Sequence, residues 1–437
     1  MNVCLKTLGC RLNEAELEHW ASGFIQSGHT IINEPDNADL VVINTCAVTR
    51  EAEKKSRQLI RRSQRNNPTA KLVVSGCYAT LHSGSTEKIS GVDLVVPNAD
   101  KDALVNIVKQ NLTLEAMPNL ATEPDESSLF ARRRNRAFIK VQDGCRYRCT
   151  FCIVTAARGL ERSRPVADII ETVNRLHFQN IKEVILTGVH IGGYGSDMNT
   201  SLVQLIKALL AETDVPRLRL GSVEPWDLGE DFLALFENPK MMPHLHLPLQ
   251  SGNDAVLRRM ARRCKTADFE ILVSKARQYV PDMNITTDII VGFPGETEQE
   301  WQSSMAFIER IGFSHIHIFP YSKRTGTKAA TLPDQVDIAV KKRRTQELHQ
   351  LAQAMRLDFM RRFNGATLPV LFEHKEDNVD TDRRYHYGYT SNYLRVRVLT
   401  NNNDNAALSL QNSILPVTIT GIDKSGNVLA GCLINDH

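Results

Sequence analysis

Asp143-Gly144-Cys145-Arg146-Tyr147-Arg148-Cys149-Thr150-Phe151-Cys152 is the stretch of sequence that decides the fold. Its three cysteines follow the spacing C-x3-C-x2-C. A structural zinc site normally needs a fourth Cys or His nearby with its own paired spacing, and none follows here. A cubane iron–sulfur cluster has four irons held by thiolates, so three thiolates would leave one iron open to bind a substrate. The alternative is that three buried or redox-inert thiols share this spacing by coincidence.

The same residues resemble the cluster loop of the radical S-adenosylmethionine (SAM) enzymes. In that superfamily the spacing holds a 4Fe-4S cluster whose free iron chelates SAM, and an aromatic residue precedes the last cysteine, as Phe151 does here. The resemblance implies that Cys145, Cys149 and Cys152 bind the cluster and that SAM is a cofactor.

Length and composition indicate a globular chain of several domains. Its 437 residues have room for about three domains of ~150 residues each. The content of 42% hydrophobic and 24% charged residues is typical of a soluble protein. No basic-then-apolar leader and no apolar run near ~18 residues is present, so we expect a cytoplasmic protein with no membrane segment. Nine cysteines, an odd number, do not suit a disulfide framework, and in a reducing compartment clustered cysteines more often hold metal.

Residues 1–112 alternate predicted strands with predicted helices. The strands are predicted at 3–8, 40–44, 72–75 and 94–96, and the helices at 14–26, 49–65 and 101–109. Asn13, with Glu16 three residues later, resembles a capping box at the start of the first helix. The alternation predicts an open, parallel α/β sheet.

Three cysteines of this region follow the carboxyl ends of predicted strands: Cys10, Cys46 and Cys77. Ligands collect at that edge of open α/β sheets, and nearby helix N-termini favour thiolates. The sequence separations of 36 and 31 residues match no local motif, so the hypothesis of a second open-iron cluster depends on the repeated strand-end position. The alternative is that individual cysteines are small apolar side chains under loops. That apolar interpretation is given to the three remaining cysteines, Cys4, Cys264 and Cys432.

An acidic, aperiodic segment at 113–130 predicts a linker, and six βα units at 131–362 then predict a partial (β/α)6 barrel. The barrel strands are predicted at 137–142, 183–188, 217–223, 245–250, 285–291 and 315–321. Catalytic groups of such barrels lie at the strand C-termini. The three-cysteine loop follows the first strand on this face, and Gly188, Glu224 and Gln250 end the next three. Histidines His244 and His246 are interpreted as hydrogen-bonded side chains of the barrel interior rather than as metal ligands.

A basic helical stretch at about 335–362 precedes a C-terminal region, 366–435, whose short strands predict a small β-barrel. Residues 366–437 hold six basic and eight acidic side chains, so overall charge does not favour RNA binding there. Local arginines do alternate with tyrosines: Arg383, Arg384, Arg395 and Arg397 with Tyr385, Tyr387, Tyr389 and Tyr393. Tyrosines can stack on bases while arginines contact phosphates. The alternative is a solvated strand face over a tyrosine-rich core, but basic stretches at 50–65, 131–148 and 341–362 favour the RNA interpretation.

Over almost its whole length the chain resembles the radical SAM methylthiotransferases. The similarity includes Thr7-Leu8-Gly9-Cys10-Arg11-Leu12-Asn13, Asn44-Thr45-Cys46-Ala47-Val48-Thr49 and Gly76-Cys77-Tyr78. In the barrel it includes 158–159 with 163–165, 246–252 and 288–297. The resemblance implies an N-terminal domain whose three cysteines bind an auxiliary 4Fe-4S cluster, a radical SAM barrel, and a small RNA-binding TRAM β-barrel. We therefore expect two 4Fe-4S clusters in the chain.

Within this family the sequence is similar to the branch that acts on threonylcarbamoyladenosine in tRNA. The similarity rests on the Thr-Leu-Gly-Cys opening, the segment 192–195, Glu224-Pro225, and residues 388–393. It implies methylthiolation at carbon 2 of the modified adenosine at position 37, next to the anticodon, with a flavodoxin- or ferredoxin-type electron donor. Phe151, Gly188 and Gln250 are candidates for the SAM pocket, and Arg158 is a candidate for the carboxylate of the substrate. Residues 153–157 depart from the family pattern, which usually has a proline and an aromatic residue there.

Three alternatives to this function remain open from the sequence. Two are methylthiolation of isopentenyladenosine in tRNA and methylthiolation of an aspartate of a ribosomal protein. The third is a non-catalytic iron–sulfur protein that binds RNA or transfers electrons, although such a protein needs no open iron.

Overall fold

The computed structural model of the protein describes residues 1–112, 135–380, 383–401 and 410–434. The predicted linker at 113–130 and residues 131–134, of which the last three are arginines, lie outside these ranges. Among the described helices, none combines the length and the apolarity needed to span a membrane.

The N-terminal region is an open sheet of five parallel strands. The strands are β1 (Asn2–Thr7), β2 (Thr30–Ile32), β3 (Leu40–Thr45), β4 (Lys71–Gly76) and β5 (Leu94–Val96), in the order β2-β1-β3-β4-β5. The helices are α1 (Arg11–Gln26), α2 (Arg50–Asn66), α3 (Cys77–Leu81), α4 (Ser83–Thr86) and α5 (Leu104–Asn111). Val3 of β1 packs against Trp20 of α1 on one face of the sheet, while Cys4 packs in the core of the other face. The predicted parallel α/β sheet and the apolar interpretation of Cys4 are confirmed.

The predicted capping box at the start of α1 is wrong. The helix begins at Arg11, with Cys10 as its N-cap, so Asn13 and Glu16 already lie inside the first turns. Both side chains are buried and bond to other elements instead of to the helix end.

The central region is a six-stranded partial barrel, as predicted. Its strands are β6 (Arg136–Lys140), β9 (Glu183–Thr187), β10 (Arg217–Leu220), β11 (His244–His246), β12 (Asn284–Val291) and β13 (His315–Pro320), and a short hairpin is formed by β7 (Gln142–Asp143) and β8 (Arg162–Ser163). The strands form two parallel sheets, β10-β9-β6 and β11-β12-β13, which the bridge between Ser222 and His246 joins. The helices are α6 (Val154–Arg158), α7 (Val166–Phe178), α8 (Leu202–Glu212), α9 (Glu230–Leu233), α10 (Asp254–Arg259), α11 (Thr266–Tyr279), α12 (Glu298–Ile311) and α13 (Ile338–Arg361).

Strand periodicity divides the barrel side chains between a core and a lumen. Ala137, Ile139 and Val184 belong to the apolar core that the strands share with the outer helices, and Cys264 is also buried there. Because neighbouring residues of a strand point to opposite faces, Phe138 and the histidines of β11 and β13 line the inside. The lumen is consequently polar.

The C-terminal region is a closed five-stranded barrel, consistent with the TRAM type that the resemblance implies. Its strands are β14 (Thr367–Asn378), β15 (Arg383–Thr390), β16 (Arg395–Asn401), β17 (Ile414–Ile422) and β18 (Leu429–Leu433), in the closed order β14-β15-β16-β18-β17. Val370, Phe372 and Val396 contribute to its apolar core. The apolar interpretation of Cys432 is wrong, because its position on β18 leaves it exposed.

Residues 388–393 attach this small barrel to the N-terminal strand ends of the partial barrel. The rings of Tyr389 and Tyr393 stack at 5.0 Å between centroids. Arg136 lies over Tyr389 at 4.3 Å, and Arg219 lies over Tyr393 at 4.4 Å. Arg217 Nη1 donates a hydrogen bond to the carbonyl oxygen of Tyr389 at 3.0 Å. These two tyrosines therefore join the two barrels, which corrects their assignment to an RNA-stacking surface.

Replacing Tyr393 with alanine is expected to lower the free energy of unfolding by about 2–3 kcal/mol, less than the usual cost of deleting a fully buried aromatic ring because this ring is half-buried. The change removes the ring beneath Arg219 and the hydroxyl that accepts a hydrogen bond from Arg136 at 3.2 Å. Urea unfolding followed by circular dichroism measures the effect. Tyr385→Ala is the matched control, because Tyr385 is on the outer face of β15 beneath Arg397 and should cost only about 1 kcal/mol. Equal losses for the two variants would contradict the anchoring role.

Candidate active site

Cys10, Cys46 and Cys77, the first triad, lie at one edge of the N-terminal sheet. The register aligns the last residues of β1, β3 and β4, and each cysteine follows one of these ends. A Cβ atom on Gly9, at φ +112°, would lie 2.8 Å from Cys46 Sγ, so only glycine lets this loop approach Cys46 so closely. The charges of Cys10 and Cys77 both act on Cys46. The structure therefore brings together three cysteines that are distant in sequence.

Cys145, Cys149 and Cys152, the second triad, lie on the loop that follows β6 and β7. The loop begins at Gly144, whose φ of +74° places it against the backbone of Leu160, where a Cβ would not fit. Thr155 Oγ1 donates a hydrogen bond to the carbonyl oxygen of Tyr147 at 2.8 Å, which fixes the middle of the loop. The three thiols act on one another electrostatically.

The surroundings of both triads are suited to thiolate ligands. Arg262 donates to Cys149 Sγ at 3.8 Å, the backbone N–H of Val154 donates to Cys152 Sγ at 3.4 Å, and Asn98 donates to Cys77 Sγ at 3.6 Å. Hydrogen bonds to a charged acceptor favour its ionised form. These donors fit sulfur atoms that carry negative charge when iron is bound.

Neither triad is arranged for a single metal ion. A tetrahedral zinc with Zn–S distances of about 2.3 Å draws its sulfurs to within about 4 Å of one another. Within the described ranges, the groups of three ligand atoms that lie within 4.8 Å of one another include neither triad. The wider separation suits a cluster of several irons.

Burial, rather than the helix termini, dominates the acidity of these thiols. Burial raises the pKa of Cys46 to about 11 and that of Cys145 to about 12. The expectation that helix N-termini would favour thiolates in the first triad is therefore wrong for Cys46. Iron binding would have to release the thiol protons.

Arg158, the last residue of α6, lies in a buried charge network where the N-terminal sheet meets the partial barrel. It is 4% exposed. Its Nη1 donates to Glu16 Oε1 and to Asp143 Oδ1, both at 2.9 Å, and its Nη2 donates to Asn13 Oδ1 at 2.8 Å. Lys101 Nζ lies 2.6 Å from Glu16 Oε1. Because these partners occupy its guanidinium, the structure contradicts the assignment of Arg158 to the substrate carboxylate.

The same network connects the two triads. Burial alone would lower the pKa of Arg158, but neighbouring acidic groups, foremost the Glu16 carboxylate, hold it well above its usual value. Asn98 donates both to Cys77 Sγ at 3.6 Å and to the carbonyl oxygen of Ala157 in α6 at 2.8 Å. A fixed positive charge and a fixed amide therefore lie between the two sets of cysteines.

A second charged group, not identified from the sequence, borders the cysteine loop. His190 Nδ1 lies 2.9 Å from Glu161 Oε1, and His190 Nε2 lies 2.7 Å from Asp227 Oδ2. Burial alone would lower the pKa of His190, but these hydrogen bonds and the charge of Glu224 raise it. The ring of Tyr147 packs edge-on against His190 at 4.8 Å. His190, Glu161 and Asp227 are distant from one another in sequence, so no local motif identifies this charged group.

Gly192 and Gly193, within the segment 192–195, pack against this group. A Cβ atom on Gly192 would lie 2.6 Å from Asp227 Oδ2, and one on Gly193 would lie 2.4 Å from His190 Nδ1. The glycines therefore allow the loop to cover His190.

The three SAM-pocket candidates lie near the upper end of the barrel, where the strands finish. Phe151 packs edge-on against Phe293, with 6.4 Å between centroids. Gly188 follows β9, and a Cβ there would lie 2.9 Å from Gln142 Oε1. Gln250 has a left-handed φ of +80° and forms a bridge to Ile289 of β12. Their role in binding SAM stays a prediction.

Two family models match the chain. The description "Uncharacterized protein family UPF0004" matches residues 2–97, and "Radical SAM superfamily" matches residues 139–308. The threonylcarbamoyladenosine tRNA methylthiotransferase MtaB of Bacillus subtilis (strain 168) is 36% identical over 405 residues, 90% of this chain and 89% of that protein. The tRNA-2-methylthio-N(6)-dimethylallyladenosine synthase of Methylacidiphilum infernorum (isolate V4) is 32% identical over 401 residues, 85% of this chain and 84% of that protein.

The fold also has a solved counterpart. The structure of the radical S-adenosylmethionine methyltransferase TsrM from Kitasatospora setae, with cobalamin and a 4Fe-4S cluster bound, superposes with a TM-score of 0.58. It covers 75% of this chain and 77% of that chain at 14% identity, so the likeness concerns the arrangement of helices and strands.

Proposed function

Because the chain belongs to the radical SAM methylthiotransferases, as its motifs predict, we propose that it methylthiolates N6-threonylcarbamoyladenosine at position 37 of tRNA. The product would be 2-methylthio-N6-threonylcarbamoyladenosine. In this proposal residues 1–112 hold an auxiliary 4Fe-4S cluster, 131–362 hold the radical SAM cluster, and 366–435 form the TRAM domain that contacts RNA.

The observation that carries the proposal is the pair of cysteine triads on either side of one buried network. Methylthiolation needs two activities in one place, removal of a hydrogen from the base and delivery of a sulfur. When bound, the clusters supply the electron that cleaves SAM and the site at which the transferred sulfur is held. The chain contributes three thiols to each, and Arg158 and Asn98 fix the distance between the triads.

Other residues of the chain bind and orient the reactants. Phe151, Gly188 and Gln250 would contact SAM at the upper end of the barrel. Arg262 offsets negative charge at Cys149, and His190 lies beside Cys145 of the second triad. The electron donor would be a flavodoxin- or ferredoxin-type protein.

The polar lumen favours the threonylcarbamoyl group over an apolar isopentenyl group. A carboxylate requires cations or hydrogen-bond donors in its pocket, whereas an isopentenyl group requires apolar side chains. Histidines of β11 and β13 line the barrel interior, and His246 and His317 lie with ring centroids 5.4 Å apart. The relative from Bacillus subtilis, which is named for the threonylcarbamoyl substrate, supports the same choice.

Two arginine–tyrosine pairs on the small barrel are candidates for the tRNA contact. Arg395 lies over Tyr387 and Arg397 over Tyr385, each at 4.5 Å from the ring centroid. Both pairs lie on the outer face of β15 and β16, away from the tyrosines that join the barrels. The RNA hypothesis is thereby narrowed to this face, where guanidinium groups can reach phosphates and bases.

The substrate test presents two tRNAs to the anaerobically reconstituted enzyme with SAM and a reductant. We expect a methylthio group on tRNA that carries threonylcarbamoyladenosine and none on tRNA that carries isopentenyladenosine. Digestion to nucleosides and mass spectrometry measure both products. Modification of the isopentenyl tRNA alone would assign the chain to that activity, and modification of neither would redirect the search to a protein substrate.

A further inference from the structure

His246, Asp288 and His317 form a polar cluster inside the barrel that belongs to neither triad. They occupy three neighbouring strands, β11, β12 and β13, and their ligand atoms all lie within 4.8 Å of one another. His246 Nδ1 lies 2.9 Å from Thr286 Oγ1, and His246 Nε2 lies 3.2 Å from Asp288 Oδ1. His246 is thus held by a hydrogen bond to Thr286, and the Asp288 carboxylate lies against its ring. The side chain of His317 is exposed and makes no hydrogen bond to another described residue.

Arg11 extends from the first triad toward the same cluster. It directly follows Cys10 and lies over the ring of Phe138 on β6, at 5.0 Å from the centroid. Its charge acts on His317. The side chain is 61% exposed and its ion pair with Glu14, one turn along α1, lies at the surface. Such surface ion pairs contribute little stabilising free energy, so the guanidinium of Arg11 is available to a ligand.

We propose that Arg11 and His317 bind the carboxylate of the threonylcarbamoyl group, and that Asp288 accepts a hydrogen bond from its hydroxyl or N–H. The inference rests on the proposed function and names the subsite that selects its substrate. Arg11 supplies a planar cation suited to a carboxylate, and His317 supplies a ring N–H. Asp288 offers its second oxygen, because the first is engaged by His246.

The position of this subsite is compatible with the proposed methylthiolation. The subsite lies in the lumen beside Phe138, and Arg11 connects it directly to the residue that opens the first triad. A site built to hydrogen-bond a polar group rejects an analogue without it, since its own polar atoms are then left unpaired. The isopentenyl group would leave the polar atoms of Arg11, His317 and Asp288 unpaired.

The test compares the nucleoside threonylcarbamoyladenosine with its carboxamide, which keeps the size and removes the charge. Isothermal calorimetry on the reconstituted full chain should show that the carboxylate binds at least tenfold more tightly. In Arg11→Gln and in His317→Gln that preference should fall about tenfold. Arg175→Gln, on the outer face of α7, is the control and should keep the preference.

A second readout uses the tRNA itself. For the same two variants, KM for threonylcarbamoyl tRNA should rise about tenfold, while KM for the control variant Arg175→Gln should match that of the unmodified enzyme. Unchanged KM values and unchanged preference would overturn the subsite, even if the enzyme modifies this tRNA and the proposed function stands. If instead Zn²⁺ binds at one equivalent, this binding is lost in His317→Gln, and the nucleosides bind equally, the cluster is a metal site and the proposal is wrong.

Discussion

Cys46→Ala should abolish methylthiolation and leave the cleavage of SAM to 5′-deoxyadenosine intact. Cys46 is buried at the strand end of β3 and belongs to the first triad, whereas the loop of the second triad is formed by other elements. Removing one of three thiols is therefore expected to disable the proposed sulfur-delivering site without disturbing the loop that is proposed to bind SAM. Product below detection is expected, because the transferred sulfur has no place to be held. Liquid chromatography of 5′-deoxyadenosine and of digested tRNA measures both reactions in one sample.

Matched variants distinguish a specific loss of methylthiolation from a general loss of folded protein. Cys149→Ala should remove both reactions, and Cys432→Ala, which deletes an exposed thiol of the small barrel, should remove neither. Iron analysis provides an independent readout. The chain should bind two four-iron clusters, and the triple variant without Cys145, Cys149 and Cys152 should keep about half the iron. Many turnovers of methylthiolated product from Cys46→Ala would show that the first triad is structural.

Arg158→Met should lower the free energy of unfolding by about 3–5 kcal/mol, the usual cost of removing one partner of a buried ion pair. The substitution keeps a long apolar side chain but leaves Glu16 and Asp143 in the interior without the guanidinium that binds both at 2.9 Å. The loss of unfolding free energy for Arg158→Lys should lie between zero and that for Arg158→Met, because a single ammonium cannot reach all of the acceptors that Arg158 binds. Urea unfolding of the cluster-free chain measures this loss without the contribution of bound iron.

A surface arginine provides the comparison. Arg343 of α13 also binds two carboxylates, Glu298 and Glu347, each at 2.8 Å, but its side chain is 49% exposed. Arg343→Met should therefore cost less than about 1 kcal/mol. If both substitutions cost the same, the network at Arg158 is not the connection that the geometry indicates.

Acid should weaken the same network in a defined range. Burial alone would raise the pKa of Glu16, but Arg158, Lys101 and Lys140 together lower it to about 2. A carboxyl group with a lowered folded-state pKa stabilises the fold above its unfolded value, and that contribution is lost as the pH falls. The stability that ionised Glu16 contributes should therefore fall as the pH decreases from about 4.5 to about 2.

The sequence allowed both triads and the order of the three regions to be predicted, because their signals are local. The second triad is a motif of eight residues, and each cysteine of the first follows an apolar strand that is recognisable by itself. The connection between Arg158 and Glu16 could not be predicted in this way. These residues are 142 positions apart, and each alone is typical of a solvated helix surface.

The different roles of the tyrosines in the small barrel also could not be predicted from the sequence. Tyr385 and Tyr389 both occupy outward positions of β15, so strand periodicity treats them alike. Only the position of the partial barrel distinguishes them, because Arg136 covers Tyr389 at 4.3 Å. Burial by a distant part of the chain leaves no local pattern.

Residues 388–393 also close the lower end of the partial barrel. Asn284 at the start of β12 donates to the carbonyl oxygen of Asn392 at 2.6 Å, and Arg219 donates to that of Ser391 at 3.0 Å. Within the part of the chain that the structure describes, this segment therefore covers the end of the lumen opposite to the cysteines. In the proposed function, a nucleotide would reach the lumen from the end where the two triads lie. The same segment sets the position of the small barrel relative to the partial barrel. If the small barrel binds tRNA as proposed, only a base at a matching distance from its binding face would reach the lumen.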